Sequence, residues 1–290
     1  MTPFQFFKLV CLSAIWGSSF LFTRIAAPEF GPFALIEFRM IVATLVLAPI
    51  LLMRVPRAEF SRERWRVLLL GICNTAIPFS MFAYATVRLG AGTSSVLNST
   101  VPFFSALIAW LWTGEKVTSG QSLGLALGTV GVLILSWGKL SWLPGGNGLA
   151  FVAALGAAVL YAFSANFTRR HLSKVRPLVI TVFSQISAGV FLIPFALARM
   201  PAGTPSGHAW MAALALGLMC TGIAYVMFFK LVEEVGATRT ITLTFLLPVF
   251  GILWGSIFLG EKVSGQMALG TAVILAGTAL ATGLVKARRS

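Results

Sequence analysis

The chain contains no aspartate, only eight glutamates, two histidines and three cysteines in 290 residues. Each shortage removes a class of function. With no aspartate, and with His171 and His208 far apart, the pattern offers no nucleophile, base and orienting acid that could come together, so an enzyme is not expected. Cys11, Cys73 and Cys220 each sit inside an apolar run without Cys-x-x-Cys or Cys/His spacing, and neither a metal nor a cofactor is expected. Charged residues make up only 10% of the chain, where a soluble domain carries about 25%.

What fills the chain instead is apolar: 58% hydrophobic residues and a mean hydropathy of +0.91. Such a chain is an integral membrane protein, and its length divides into about ten spans of roughly 20 residues with no room for a domain outside the bilayer. The net charge of +14 invites a nucleic-acid reading, but the basic residues stand in short clusters between apolar runs. Anionic lipid and the bias of Lys and Arg toward the cytoplasm account for them, and no nucleic-acid partner is expected. The stretch from Phe4 to Phe22 is as long as a full span and aromatic throughout, so it reads as a helix and not as a cleaved leader.

Backbone groups in hydrocarbon must bond within their own segment, which makes runs of this length helices. They fall at roughly 4–23, 33–53, 67–87, 92–113, 119–137, 147–168, 178–198, 208–230, 238–259 and 265–285. Alternate connections hold sixteen Lys and Arg on one side and six on the other, which places both termini in the cytoplasm.

The chain is also written twice. Ala91 to Val117 returns 146 positions later as Ala237 to Val263, each copy with a mid-run proline (Pro102, Pro248) and a closing Gly-Glu-Lys. Trp16 to Arg24 matches Tyr161 to Arg169 at an offset of 145, which also pairs Pro32 with Pro177 and Pro49 with Pro194. GICNTAIPFSMF from Gly71 matches GLMCTGIAYVMF from Gly217. The halves are therefore 1–138 and 147–290, joined by an extracytoplasmic linker, 139–146, around Pro144-Gly145-Gly146. Five crossings per half is odd, so the second half lies upside down relative to the first. Inverted repeats are a common transporter plan, with a site at the midplane between the halves and access that alternates between the two sides.

Ten helices in two inverted five-helix repeats, with Trp-Gly-Ser-Ser-Phe in the first helix and Gly-Glu-Lys closing the fourth and ninth, resemble the EamA-type branch of the drug/metabolite transporter superfamily over essentially the whole chain. Within that branch the chain is similar to the YddG-type bacterial exporters. The resemblance implies residence in the bacterial inner membrane and export of amino acids, aromatic ones in particular, and of related metabolites. An exporter of hydrophobic cationic drugs is the nearest rival, and the lack of a buried carboxylate argues against it. A receptor or scaffold would give no reason for a duplicated proline and polar set.

Candidate cavity residues follow from helical spacing. The first helix presents Ser13, Trp16 and Phe20 on one face with Gly17, and helix six presents Tyr161. Helix three offers Asn74, Pro78 and Met81, with Phe79 and Tyr84 nearby, and helix eight offers Thr221 and Tyr225 with Phe228. Asn98 precedes Pro102 and Thr244 precedes Pro248. Each proline removes a helical hydrogen bond, so each helix is expected to have a weak point where a freed carbonyl can bind an ammonium group or allow bending, or else a static kink satisfied by neighbouring Ser or Thr. Uncharged hydrogen-bonding groups suit a neutral or zwitterionic solute with an aromatic body. Glu37 and Arg39 lie in the first turns of helix two and point in different directions; Arg39 could attract a carboxylate in the outward-open state, with snorkelling or a structural ion pair to another helix the favoured reading. No carboxylate or His stands at mid-depth, so solute should follow its own gradient unless proton coupling runs through Glu37. Glu115 and Glu261 read as markers of helix ends. The glycine-rich helices five and ten should brace each half or form a homodimer face.

Overall fold

The computed structural model describes residues 2–56, 63–113, 118–138, 146–199, 201, 203–236, 240 and 242–282. Eight of its helices are long and apolar enough to cross a membrane, and two shorter apolar helices complete the set. In chain order they are α1 (Pro3–Phe30), α2 (Pro32–Arg54), α3 (Arg64–Leu89), α4 (Ala91–Asn98 and Val101–Thr113), α5 (Ser119–Ser136), α6 (Gly148–His171), α7 (Pro177–Ala198), α8 (Gly207–Val235), α9 (Leu243–Leu259) and α10 (Gly265–Ala281). Among the described residues there is no strand. Gly114 to Lys116 of the first Gly-Glu-Lys, and residues 139–145 of the expected linker, lie outside the described residues.

The helix ends carry local signals. Thr2 with Gln5 and Thr118 with Gln121 form capping boxes, and Ser206 and Ser264 cap α8 and α10. Between α1 and α2 a single residue makes the turn. Gly31 has φ of 74°, a conformation that side chains other than glycine rarely adopt. His171 ends α6 and His208 opens α8, so neither lies in a loop as expected.

Inversion is visible in which helices meet. α2 packs on α7, α4 on α9 and α5 on α10, each with its own counterpart, while α1 packs on α8 and α9 as α6 packs on α3 and α4. The self-paired helices run antiparallel. Along α4 and α9, Ala91 faces Gly255 while Ser95 faces Gly251. Along α5 and α10, Gly128 faces Gly277 while Leu135 faces Gly270. An element can meet its own copy head to tail only if the copy has been turned over, which puts the two-fold axis in the membrane plane.

The α5 and α10 contact corrects one expectation. A Cβ on Gly277 would stand 2.5 Å from the Gly128 nitrogen and 2.8 Å from the Gly124 carbonyl, so these glycines exist to let two backbones touch. They join the halves to each other instead of bracing either one alone. Where Gly124, Gly128, Gly131, Gly270 and Gly277 stand, that face is covered within the chain. Gln266 donates to the carbonyls of Ile134 (2.7 Å) and Trp137 (2.6 Å) and closes the end of α5.

The two prolines also behave differently. α4 breaks at Ser99 and Thr100, just ahead of Pro102, whereas α9 runs unbroken through Pro248. At the proline itself, among the described residues, the break is seen in α4, whereas in α9 Thr242 is a turn residue ahead of the helix that carries Pro248. Glu261 is more than a marker of a helix end: its Oε1 accepts from the Ala91 N–H (2.7 Å) and its Oε2 from the Gly92 N–H (3.0 Å), capping α4 from the other half. Gly90, at the cap position itself, has no side chain to do this. A Glu261→Ala variant is therefore expected to lose about 1–2 kcal/mol, read as a melting point several degrees lower in detergent; an unchanged melting point would show the cap to be idle.

Candidate functional site: a central cavity between the halves

Two wide turns set the geometry. Ile72–Ala76 in α3 and Leu218–Ile223 in α8 are π-helical, beginning 146 positions apart, the offset that relates the halves. A π-turn holds one extra residue and rotates everything after it. In α3, Asn74 is followed on the same face by Phe79, not Pro78, and the face continues through Phe82, Ala83 and Thr86. In α8, Cys220 is followed by Tyr225. Asn74 and Cys220 are counterparts across the repeat, as are Phe79 and Tyr225.

These residues line a cavity of about 280 Å³ between the halves. α1 contributes Trp16, Ser19, Phe20 and Thr23, at helical i, i+3, i+4 and i+7. α4 contributes Asn98, Val101 and Pro102, and α9 contributes Leu243, Thr244 and Leu247; Asn98 and Val101 correspond to Thr244 and Leu247 at the 146-residue offset. Tyr161 enters from α6 and Arg39 from α2.

Aromatic rings form the walls. On one side Phe20 meets Phe82 edge-on at 5.9 Å, Phe82 stacks on Tyr161 at 5.9 Å, and Phe79 meets Tyr161 edge-on at 6.0 Å. On the other, Trp16 meets Tyr225 edge-on at 6.0 Å, lies 5.3 Å from Phe228, and donates its Nε1–H to the Cys220 carbonyl within the π-turn (3.1 Å). Among the described residues the side chains of Asn74 and Asn98 make no hydrogen bond, and the buried Thr86 hydroxyl has none either. Polar groups thus face the space without being consumed by the fold.

Several residues expected at the cavity are elsewhere. Ser13 is buried and gives its hydroxyl to the Leu9 carbonyl (2.8 Å), because the α1 face is turned by the packing of Gly17 on α9, where a Cβ would meet that of Phe250 at 2.6 Å. Past the π-turn of α3, Pro78 is buried away from the cavity, while Met81 and Tyr84 line a separate apolar groove with Pro32, Phe191 and Phe195. Thr221 is buried behind the wall, and Pro248 is buried inside α9. Glu37 faces α7, with Oε1 3.7 Å from the position of a Cβ on Gly189, and its buried Oε2 has no partner among the described residues.

Arg39 departs furthest from expectation. It does not snorkel, and among the described residues it pairs with no acid. Its Nε–H donates to Thr221 Oγ1 (2.8 Å), and its guanidinium lies 4.0 Å over the Phe79 ring. Among the described residues the ion pairs are Lys8 with Glu234 and Arg66 with Glu63, neither at the cavity.

Comparison with known proteins agrees with this architecture. The sequence pattern of the EamA-like transporter family matches residues 5–137 and again 148–283, which is nearly all of the chain. The chain belongs to the EamA-like transporter family. As an EamA-like protein it is a transporter and not an enzyme, an integral, multi-pass protein of the inner membrane whose partners are a small-molecule substrate and lipid. Its relatives include the transporter YvbV of Bacillus subtilis (24% identical, covering 97% of this chain and 92% of YvbV) and the inner membrane transporter YedA of Escherichia coli K12 (27%, 96% and 90%), both described as uncharacterized. Another, from Streptantibioticus cattleyicolor, is named a probable terminal-alkyne amino-acid exporter (26%, 97% and 94%). A solved crystal structure 20% identical to the EamA-like chain superposes over the whole of both with a TM-score of 0.69, which supports the fold.

Proposed function

We propose that the protein exports amino acids with aromatic side chains, and related small metabolites, by alternating access through the central cavity, with both termini in the cytoplasm. One observation carries this reading: among the described lining residues one cation, Arg39, and unconsumed amide groups stand among aromatic rings in a space open to a small solute. The cavity, about 280 Å³, falls just below the ~300–1,000 Å³ usual for drug-sized ligands. A relative named as an amino-acid exporter adds support. A hydrophobic cationic drug suits the cavity poorly, since Arg39 would repel it. The test is counterflow in proteoliposomes loaded with labelled phenylalanine, tryptophan, threonine or ethidium. Exchange of the aromatic amino acids is expected; exchange of ethidium alone would replace this reading with the drug one.

No carboxylate or histidine lines the cavity among its described residues, so the solute is proposed to move down its own gradient. An imposed pH gradient should drive no uphill flux in wild-type protein, and Glu37→Gln should leave exchange unchanged. Accumulation against the solute gradient in the wild type, abolished in Glu37→Gln, would instead assign proton coupling to that residue.

A further inference from the structure

We infer that Arg39 is the anchor for the solute's carboxylate, an inference that rests on the transport reading and deepens it. An arginine inside a membrane bundle is retained where it meets a counter-charge, and this one meets none within the chain as described. The sequence has eight acids. Of those described, Glu29 accepts from Ser206, Glu63 pairs with Arg66, Glu234 pairs with Lys8, Glu261 caps α4, Glu37 faces α7, and Glu233 borders a separate pocket at the far end of α8. The missing counter-charge is therefore one that arrives with the solute.

The local geometry suits that role. Thr221 occupies the Nε–H (2.8 Å) and Phe79 supports one face of the guanidinium (4.0 Å), while among the described residues the Nη groups have no hydrogen-bond partner. What remains for a ligand is the two-nitrogen end of a planar fork, whose spacing matches the two oxygens of a carboxylate. Thr221 is a positioning residue here, since it holds the fork and does not line the cavity. The anchor also gives the site a direction. At the offset of 145 that relates the second helices of the halves, the counterpart of Arg39 is Ser184, so among the described lining residues charge comes from one half. The carboxylate end then lies toward α2 and the ring among Phe79, Phe82 and Tyr161.

Competition separates this from transport itself. Exchange of labelled phenylalanine by the full-length protein in liposomes is competed with phenylalanine, 3-phenylpropionate, phenylalaninamide and phenethylamine. The two carboxylates should compete roughly tenfold to a hundredfold better than the amide and the amine, as expected for loss of a charged hydrogen bond. Arg39→Gln should erase that preference, Arg39→Lys should restore part of it, and Thr221→Val should weaken it without changing competition by the amide. Equal competition by acid and amide in the wild type, or an undiminished preference in Arg39→Gln, would overturn the assignment. If the wild type exchanges no amino acid, the transport reading fails on its own account. Quenching of tryptophan fluorescence by 3-phenylpropionate in detergent then decides the anchor separately: quenching lost in Arg39→Gln sustains it, and quenching that is equal in both or absent from the wild type removes it.

Discussion

A Gly277→Val variant is expected to yield little folded protein, and what is recovered should melt far below the wild type. The added Cβ would stand 2.5 Å from the nitrogen of Gly128 and 2.9 Å from its Cα, both backbone atoms of the facing helix. A flexible side chain could swing aside, but a helix backbone cannot. α5 and α10 would have to part along a seam running from Gly124 and Ala281 to Leu135 and Gly270. Overpacking a close contact costs about 1–3 kcal/mol when side chains can adjust, and here close backbone packing is itself the attraction, since lipid gives helices no hydrophobic reason to associate. Size-exclusion profiles and melting curves in detergent read the effect. Gly265→Ala is the control: it adds the same atom type in the same helix where nothing lies within 4 Å. A normal melting curve for Gly277→Val would mean that the seam is looser than the geometry requires.

The second large effect is expected at Trp16. Its indole joins the halves twice, by the hydrogen bond to the Cys220 carbonyl (3.1 Å) and by contact with Tyr225 and Phe228. It is also a wall against which a ring would rest. Trp16→Ala removes aromatic contacts worth about 0.5–1.5 kcal/mol each beyond their buried area, and with them about tenfold or more in affinity for an aromatic solute. Phenylalanine and tryptophan exchange should fall well below threonine exchange in this variant. Trp16→Phe keeps one aromatic ring while giving up the hydrogen bond and part of the indole's area, so its loss should be the smaller. Equal losses for aromatic and aliphatic solutes would place Trp16 outside the path.

The fold was legible because membrane helices announce themselves by length and because the repeat is still readable. The predicted span 178–198 falls one residue from the observed Pro177–Ala198, and 119–137 one residue from Ser119–Ser136. The less legible ends were those where the helix continues past the hydrocarbon-like stretch. α1 runs to Phe30 through Pro28, and α8 to Val235 through Glu233 and Glu234. Neither proline nor charge stops a helix whose neighbours hold it.

The cavity was only half legible, and the errors have a common cause. Spacing of three and four residues picks the correct face only in a regular helix. Spacing counted straight through the π-turn keeps Asn74 on the cavity side but sets Pro78 and Met81 one step out of phase with Phe79 and Phe82. The same slip favoured Thr221 over Cys220. In α1 the cue was present but misread: Gly17 was placed on the open face, whereas a glycine beside large residues marks a close helix contact, and Ser19 and Thr23 were missed with it. Arg39 reads as shallow when its depth is counted along the chain from the helix end, which favours snorkelling over a carboxylate contact. Nothing in the sequence reveals that Thr221, 182 residues away, draws its side chain inward.

The paired π-turns have a bearing on ancestry. A residue inserted after the two copies had diverged would mark one and spare the other. Ile72 and Leu218 open their wide turns at matching places, so the insertion belonged to the progenitor, a five-helix subunit that had to meet a second of its kind, flipped, to enclose any space. The twist that brings Phe79 and Tyr225 to opposite walls is an inheritance from that smaller molecule, older than the fusion that made it one polypeptide.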